Sequence, residues 1–555
     1  MSISPFPKLK KHKPRAASFS DVTLRDFSGG LKVTENELAL KNKFATTLIN
    51  CLPGSDTSME VRFGTKEFAT CSANIINQIY FEQHIIAVLS SGEIQKIDDS
   101  GTVTTIWNST IATALPGSPS AWSSGLVQAD FSEFRGDLVI VNGVDKPLLL
   151  DNALSISYLQ DLATGSNVHT PISNFVTTVS NYVVMAGIAA AKTTVYISST
   201  GTSGTWPGDT APNDGISFDV GAYTGKSSSE IHAIATFKTF LVVYFNDFAV
   251  LLALGNFNSG GAHVPEVVDT YTDLGTINHK TTLATDTDLV FPANGGIYSA
   301  EKNVFGGTLS TANLSDALGT DYPKITGLVA KNNLDCHVIN DPLSHTVFFF
   351  FHKADTTISV LAMRYKEDFS KQAWAYVEGW SFTSSCVSEK KRIFFGEGTK
   401  IYQYGNNVFS GENYAADYIV GSAEGIDIAF DWEFPWLDAG NRIKTKTLKK
   451  LTFDTTGTSD FLLQCFVNKY YKDNEEAYDP AASMEFVAGD AGGYGNNEEG
   501  YGGDGFGGGR RANDERFFGF PIKFKILKLR ISGATKRPLR MVSLSLIYLK
   551  GNYHS

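Results

Sequence analysis

The residues that could carry chemistry are scattered, and their spacing argues against most reactions. Gly221-Ala-Tyr-Thr-Gly225-Lys226-Ser227 comes nearest to a phosphate-binding loop. Three residues separate its glycines, whereas the loop that wraps a β-phosphate needs four. The following SSEIHAIATFKTFLVVYF reads as strand rather than the required helix. No G-x-S-x-G elbow presents a nucleophile. Of the ten histidines, His337, His345 and His352 are nearest neighbours, but none stands at i, i+4 with a carboxylate between, so each reads as a core or surface histidine. Cys51, Cys71, Cys336, Cys386 and Cys465 are odd in number and far apart, without zinc-ligand spacing. They read as free core thiols of a chain that folds in a reducing compartment. Asp and Glu are plentiful enough for a glycosidase pair, yet sequence selects no two of them. Asp504, in GGDGFGGG, is a single fragment of a calcium-binding repeat that needs tandem copies. No catalytic residue, cofactor site or metal site is therefore assigned.

Ser199-Thr-Gly-Thr-Ser-Gly-Thr205-Trp206 has the spacing of an S-x-D-x-G-x-T-W turn, with Gly201 and Ser203 in place of its Asp and Gly. That turn is a hairpin element of propellers and says nothing about catalysis.

The elements behind these residues are mostly strands. The 555 residues are 42% hydrophobic and 12% aromatic but only 19% charged, with 51 Gly, 38 Phe and 22 Tyr. This excludes wholesale disorder and favours β structure with tight turns. One pattern recurs, an apolar run, a short polar or Gly turn and a second apolar run. It begins at Ile85, Asp137, Tyr182, Phe240, Asp288, Thr346 and Arg392, at intervals of 52, 45, 58, 48, 58 and 46 residues. Propeller blades repeat about every 40–50 residues. Ordinary sandwiches would show strands at a spacing of about 8–12 residues. Runs such as Phe348–Phe351 need burial on both faces, which neighbouring blades supply. Ser91-Gly92, Gly295-Gly296 and Glu397-Gly398 read as the hairpin turns. Thr239–Leu254, the longest greasy run, is interrupted by Asn246 and Asp247, so no membrane span is expected.

Charge divides the chain further. Residues 1–50 carry 9 Lys/Arg and 4 Asp/Glu, residues 51–426 carry 20 and 37 (net −17), and residues 427–555 carry 18 and 17. Residues 1–50 read as a basic N-terminal arm and docking segment, with Lys8, Lys10, Lys11, Lys13 and Arg15 clustered and no apolar signal region. Residues 51–420 read as an irregular β-propeller-like body. Residues 421–555 read as a C-terminal β-sandwich-like domain interrupted by a Gly-rich loop at 489–509. Arg442, Lys444 and Lys446 alternate with Ile443, Thr445 and Thr447, the pattern of one outward strand face, solvated or used for subunit docking. An acidic body argues against a basic groove that grips DNA, though not against DNA passing a repulsive wall.

Two segments carry a family resemblance. RDFSGGLKVTENELALKNKFATTLINC (Arg25–Cys51) resembles the opening of podophage tail nozzle, or tail tubular, proteins, and FPWLDAGNRIKTKTLKKLTFDTTG (Phe434–Gly457) resembles the start of that family's distal β-domain. FKTFLVVYFNDFAVLL and YISS…TWPGD are similar to its blade hairpins, in the same order. The Gly-rich insert and the Lys-rich first 20 residues depart from the pattern. The resemblance implies a non-enzymatic virion protein, assembled in the host cytoplasm. Six copies would form a ring below the portal-side adaptor, with double-stranded DNA passing through it and tail fibres or spikes docked outside. The alternative is a glycan-binding or glycan-cleaving tail propeller, with Trp374, Tyr376 and Trp380 as a sugar platform.

Overall fold

Just before each of the first four apolar runs the chain reverses through a two-residue turn, which suits the right-handed twist of paired strands. In the first, Glu82 and Gln83 take left-handed φ of 45° and 63°. Arg135, Ser180, Lys238 and Lys391 hold the same conformation in equivalent turns. Of the glycines expected to make turns, Gly92 and Gly398 have φ of 83° and 55°. Gly296 instead provides space, since a Cβ there would meet Asn313 Oδ1 at 2.7 Å.

The computed structural model describes residues 19–550 apart from internal stretches, the longest at 160–168, 256–263, 406–415, 418–424, 469–479 and 487–510. Lys8, Lys10, Lys11, Lys13, Arg15 and the Gly-rich stretch lie outside the described residues. Among those described, the first five hairpins form the middle two strands of separate four-stranded antiparallel sheets, and the last two the middle of four-strand antiparallel ladders within one sixteen-stranded sheet that continues into the sandwich. Blade 1 is Ile75–Phe81, His84–Leu89, Ile94–Ile97 and Val103–Trp107, and blade 2 runs from Asp130–Phe134 to Ile156–Tyr158. Blade 3 runs from Phe175–Val179 to Ile216–Asp219, blade 4 from Ala233–Phe237 to Glu266–Thr272, and blade 5 from Leu283–Ala284 to Leu309–Asn313. Blade 6 runs from His337–Asp341 to Asp368–Val377. Blade 7 takes Ser384–Val387, Ile393–Glu397 and Lys400–Tyr404 from this end of the chain and Thr65–Thr70 from the other. The chain is thus mostly β, and its body is a seven-bladed propeller whose last blade is completed by an N-terminal strand.

The first strand of each blade faces its neighbours around the axis. Ser132 and Thr178 share a hydroxyl hydrogen bond of 2.7 Å, and Thr177 and Thr236 one of 2.9 Å. Gln78 Nε2 donates to the Phe394 carbonyl at 3.0 Å, linking blade 1 to blade 7. Phe348, Phe349, Phe350 and Phe351 are all buried, and Phe350 packs with Trp380, Phe382 and Phe395. All five cysteines are free and buried, and burial pushes the Cys71 thiol up to about 11.

Beyond blade 6 two sheets enclose a second part of the core. One contains Phe19–Leu24, Cys51–Pro53, Met59–Val61, Lys446–Gly457, Arg511–Phe524 and Leu539–Lys550. The other contains Thr47–Ile49, Ile426–Glu433, Phe461–Asn468, Ala482–Phe486 and Ile526–Thr535. Leu527, Leu529 and Ile531 alternate inward from one sheet and Leu544, Leu546 and Tyr548 from the other, the period expected of sheets buried on one face. This is the C-terminal β-sandwich, and N-terminal strands belong to both of its sheets. No described helix is long and apolar enough to cross a membrane.

Candidate functional site

The two segments that carry the family resemblance meet in space, at the seam between blade 6 and the sandwich. Gly30–Leu31 lies on the outer edge of blade 6, with Leu31 opposite Trp374. Gly30 has φ of 64°, and a Cβ would sit 2.8 Å from Trp374 N and 2.9 Å from its carbonyl oxygen, so only glycine allows this approach. Phe27 turns inward, its ring 4.8 Å from Trp432 and 6.0 Å from Phe434. Thr47–Ile49 pairs with Ile426–Glu433 and, at Ile49, with Tyr376. Lys528 joins Glu37 and Glu433, each at 2.7 Å, and Arg442 Nη2 donates to the Leu38 carbonyl at 3.0 Å.

Asn50 and Arg62 lock the seam. Asn50, at φ 55°, donates its backbone N–H to Tyr376 O at 2.8 Å and its Nδ2 to Ala429 O at 2.7 Å. Its Oδ1 accepts from Arg62 Nε at 2.8 Å and from the Glu378 amide at 3.0 Å. The Arg62 guanidinium is buried 4.5 Å over the Trp380 ring and donates to the carbonyls of Phe63 and Glu378. It also grips Asp417 through two bonds of 3.0 and 2.5 Å. None of these three residues was singled out from sequence, because the partners of Arg62 lie 12, 316 and 355 positions away.

The expected outward strand face at Arg442–Lys446 is not what forms. The strand begins only at Lys446, which is 1% exposed, while Arg442–Lys444 occupies the turn before it. Asn441 Oδ1 accepts both the Ile443 and Lys444 amides at 3.0 Å, which makes the alternation a property of a turn. Lys446 donates to the Asn441 and Lys525 carbonyls, and desolvation lowers its pKa. It is therefore a core staple, unable to dock. Arg442 pairs with Asp438 at 3.1 Å, and Ile443 is 73% exposed.

A second polar centre sits on the propeller axis, in the turn Asn278-His279-Lys280-Thr281. Asn278 caps it by accepting the Thr281 amide at 3.0 Å, and its Nδ2 donates to Cys336 O at 2.9 Å. His279 Nε2 lies 2.9 Å from Asp130 Oδ2 in blade 2, its Nδ1 accepts the Ile234 amide of blade 4, and its ring stacks on Phe175 of blade 3. Lys280 Nζ reaches the carbonyls of Ile76 in the first strand of blade 1 and Thr383 beside blade 7. Desolvation lowers the Lys280 pKa to about 8, against the pull of Asp335. One tetrapeptide thus ties together segments from around the ring. The cavity beside it, lined by Gln128, Asp130, Phe175 and Lys280, holds 10 Å³, about one water.

The remaining sequence candidates fall into structural roles. Val220–Thr224 is a single helical turn capped by Asp219 and ended by Gly225, followed by the strand Ala233–Phe237. Ser199–Trp206 connects the last two strands of blade 3 and buries Trp206. His337 stacks on Phe350 at 4.2 Å, and His352 Nε2 bonds Phe382 O at 2.8 Å. Trp374 and Trp380 are buried and Tyr376 Oη donates to Asp321 at 3.0 Å, so these rings cannot present a sugar platform. No group of three or more His, Cys, Asp or Glu among the described residues is arranged to hold a metal.

No protein-family model and no curated protein sequence matches the chain. Among solved structures it is similar to a streptogramin B lyase, with 12% identity over 62% of this chain and 98% of that one and a TM-score of 0.34. It is also similar to a chain of the mitotic checkpoint complex, with 10% identity over 61% and 94% and a TM-score of 0.37. A third is PorZ, an essential bacterial surface component of the type-IX secretion system of Porphyromonas gingivalis, with 11% identity over 67% and 43% and a TM-score of 0.34. At such values the likeness carries no functional weight, and the propeller assignment rests on the strand pairings above.

Proposed function

We propose that this chain is a structural subunit of a short bacteriophage tail, a nozzle protein. Six copies would form a ring below the portal-side adaptor, pass double-stranded DNA and carry tail fibres or spikes. The supporting observation is the seam. The segments around Arg25–Cys51 and Phe434–Gly457, which resemble nozzle proteins, lie about 400 residues apart in sequence yet interlock through Phe27, Trp432, Phe434 and the Arg442–Leu38 bond. Packing of this kind gives both segments one mechanical reason to occur together, fastening a sandwich to the rim of a propeller. This reading assigns the chain no catalytic role and places it in the virion. Cryo-electron microscopy of intact tails tests it. A sixfold ring of this subunit between adaptor and tip is expected, and a monomer in whole virions would overturn the reading.

A further inference from the structure

The molecule carries a rigid aliphatic tip and an open apolar recess that its described residues do not fill. The tip is the turn Asp438–Lys444. Asp438 accepts the Gly440 amide at 2.9 Å and Arg442 Nε at 3.1 Å, and Asn441 fixes the next two amides. Ile443 therefore projects, 73% exposed, between two cations on a backbone that needs no further ordering, which lowers the entropic cost of docking.

The recess lies where the first strands of blades 5, 6 and 7 converge. Leu283, Val338, Ile339, Pro342 and Val387 line 310 Å³ of open space, enough for an aliphatic side chain, and Leu343 beyond it is 67% exposed. The hairpins of blades 1, 2 and 7 add acid on the same side. The Glu133 carboxyl is held above its ordinary value by burial and then by Glu82 and Glu389. Of the cations on those turns, Lys390 and Arg392 are taken by Asp99, at 2.6 and 2.5 Å, while Arg135 and Lys391 are exposed.

We propose that Ile443 of one copy seats in the recess of a second copy, with Lys444 facing Glu82, Glu133 and Glu389. This rests on the ring reading above and names its interface. Tip and recess are different surfaces of one chain, so the contact is head-to-tail. Such contacts close into rings when the rotation permits and otherwise run on as filaments. An apolar anchor ringed by complementary charge is also the usual layout of an energetic hot spot.

The test is self-association of the full chain, followed by sedimentation from low to high micromolar concentration. Ile443→Asp is expected to weaken assembly at least about tenfold, the effect of losing one anchor. Lys444→Glu and Glu389→Lys should each weaken it, and combining them in one chain should restore it. Ile443→Cys mixed with Val338→Cys should give a disulfide-linked dimer, a readout that holds even if a charge variant folds poorly. A wild-type chain that stays monomeric overturns the proposal, as does assembly unchanged by Ile443→Asp. In that second case the nozzle reading survives, because tail imaging judges it separately. Conversely, a solution ring with this interface but absent from tails would refute the nozzle reading alone.

Discussion

Replacing Arg62 with Met removes the cation at the centre of the seam while keeping an unbranched apolar stem over Trp380. The wild-type guanidinium makes five hydrogen bonds, to Asn50, Phe63, Glu378 and twice to Asp417. After the change Asp417, whose side chain is 13% exposed, keeps Thr65 Oγ1 at 3.1 Å and Trp380 Nε1 at 3.5 Å as its partners among the described residues. Breaking a buried pair by removing one partner costs about 3–5 kcal/mol, because the other charge is left stranded. Neutralising that charge as well, in Arg62→Met with Asp417→Asn, should recover about 1–3 kcal/mol, since a buried pair contributes far less than its broken half costs. Urea unfolding measures both values, and hydrogen exchange at the Asn50 and Glu378 amides locates the damage at the seam. The reasoning fails if Arg62→Met costs less than about 1 kcal/mol, or if the double variant loses the full sum of the single losses, because residues in one ion pair should couple.

Three further outcomes are expected. Gly30→Ala should cost more than the ~1–2 kcal/mol of a left-handed L-residue, because its Cβ also meets the Trp374 backbone, and limited proteolysis should cut first within Arg25–Cys51. The Arg540 hydrogen bond holds the Asp56 carboxyl well below the usual carboxylate range. Its contribution is therefore present above about pH 4 and lost on acidification, so Asp56→Asn should flatten the acid limb of a stability profile. Lys280 follows the same sign at higher pH, since its folded pKa of about 8 also lies below the unfolded value. The unfolded chain then binds the extra proton between about pH 8 and 10.5, and wild-type stability relative to Lys280→Met should rise across that interval in paired urea titrations.

Seven hairpins were legible in the sequence because the middle strands of a blade are buried on both faces and read as continuous apolar runs. The flanking strands were not. Leu283–Ala284 is two residues long, and Ile216–Asp219 and Ser384–Val387 are short and half polar. Thr65–Thr70 has no local mark of its role, since its partner Lys400–Tyr404 lies at the far end of the body. The period-2 alternation of Arg442–Lys446 misled because a turn braced by Asn441 imitates a strand over five residues. The seam was half visible, through Gly30, Phe27 and the Phe434 segment. Asn50, Arg62 and Asp417 were invisible because each is an ordinary polar residue until folding removes its water.

The axial turn bears on where DNA would run in a nozzle. Asn278–Thr281 closes the propeller axis with bonds to segments around the ring, so a duplex cannot follow that axis. If the chain is a nozzle subunit, its conduit would lie between subunits, lined by blade rims or by the sandwich. On that reading the −17 of residues 51–426 would act on the conduit wall. Basic walls would hold the duplex, because each phosphate contact releases counterions and adds salt-dependent affinity. Acidic walls would repel it and keep transit fast. In an assembled ring, Asp and Glu of the body are therefore expected to be denser on the lumen than on the exterior, and mapping them onto the tail density measures it. Equal densities would reduce the charge to an aid to solubility. A basic lumen would count against the conduit itself.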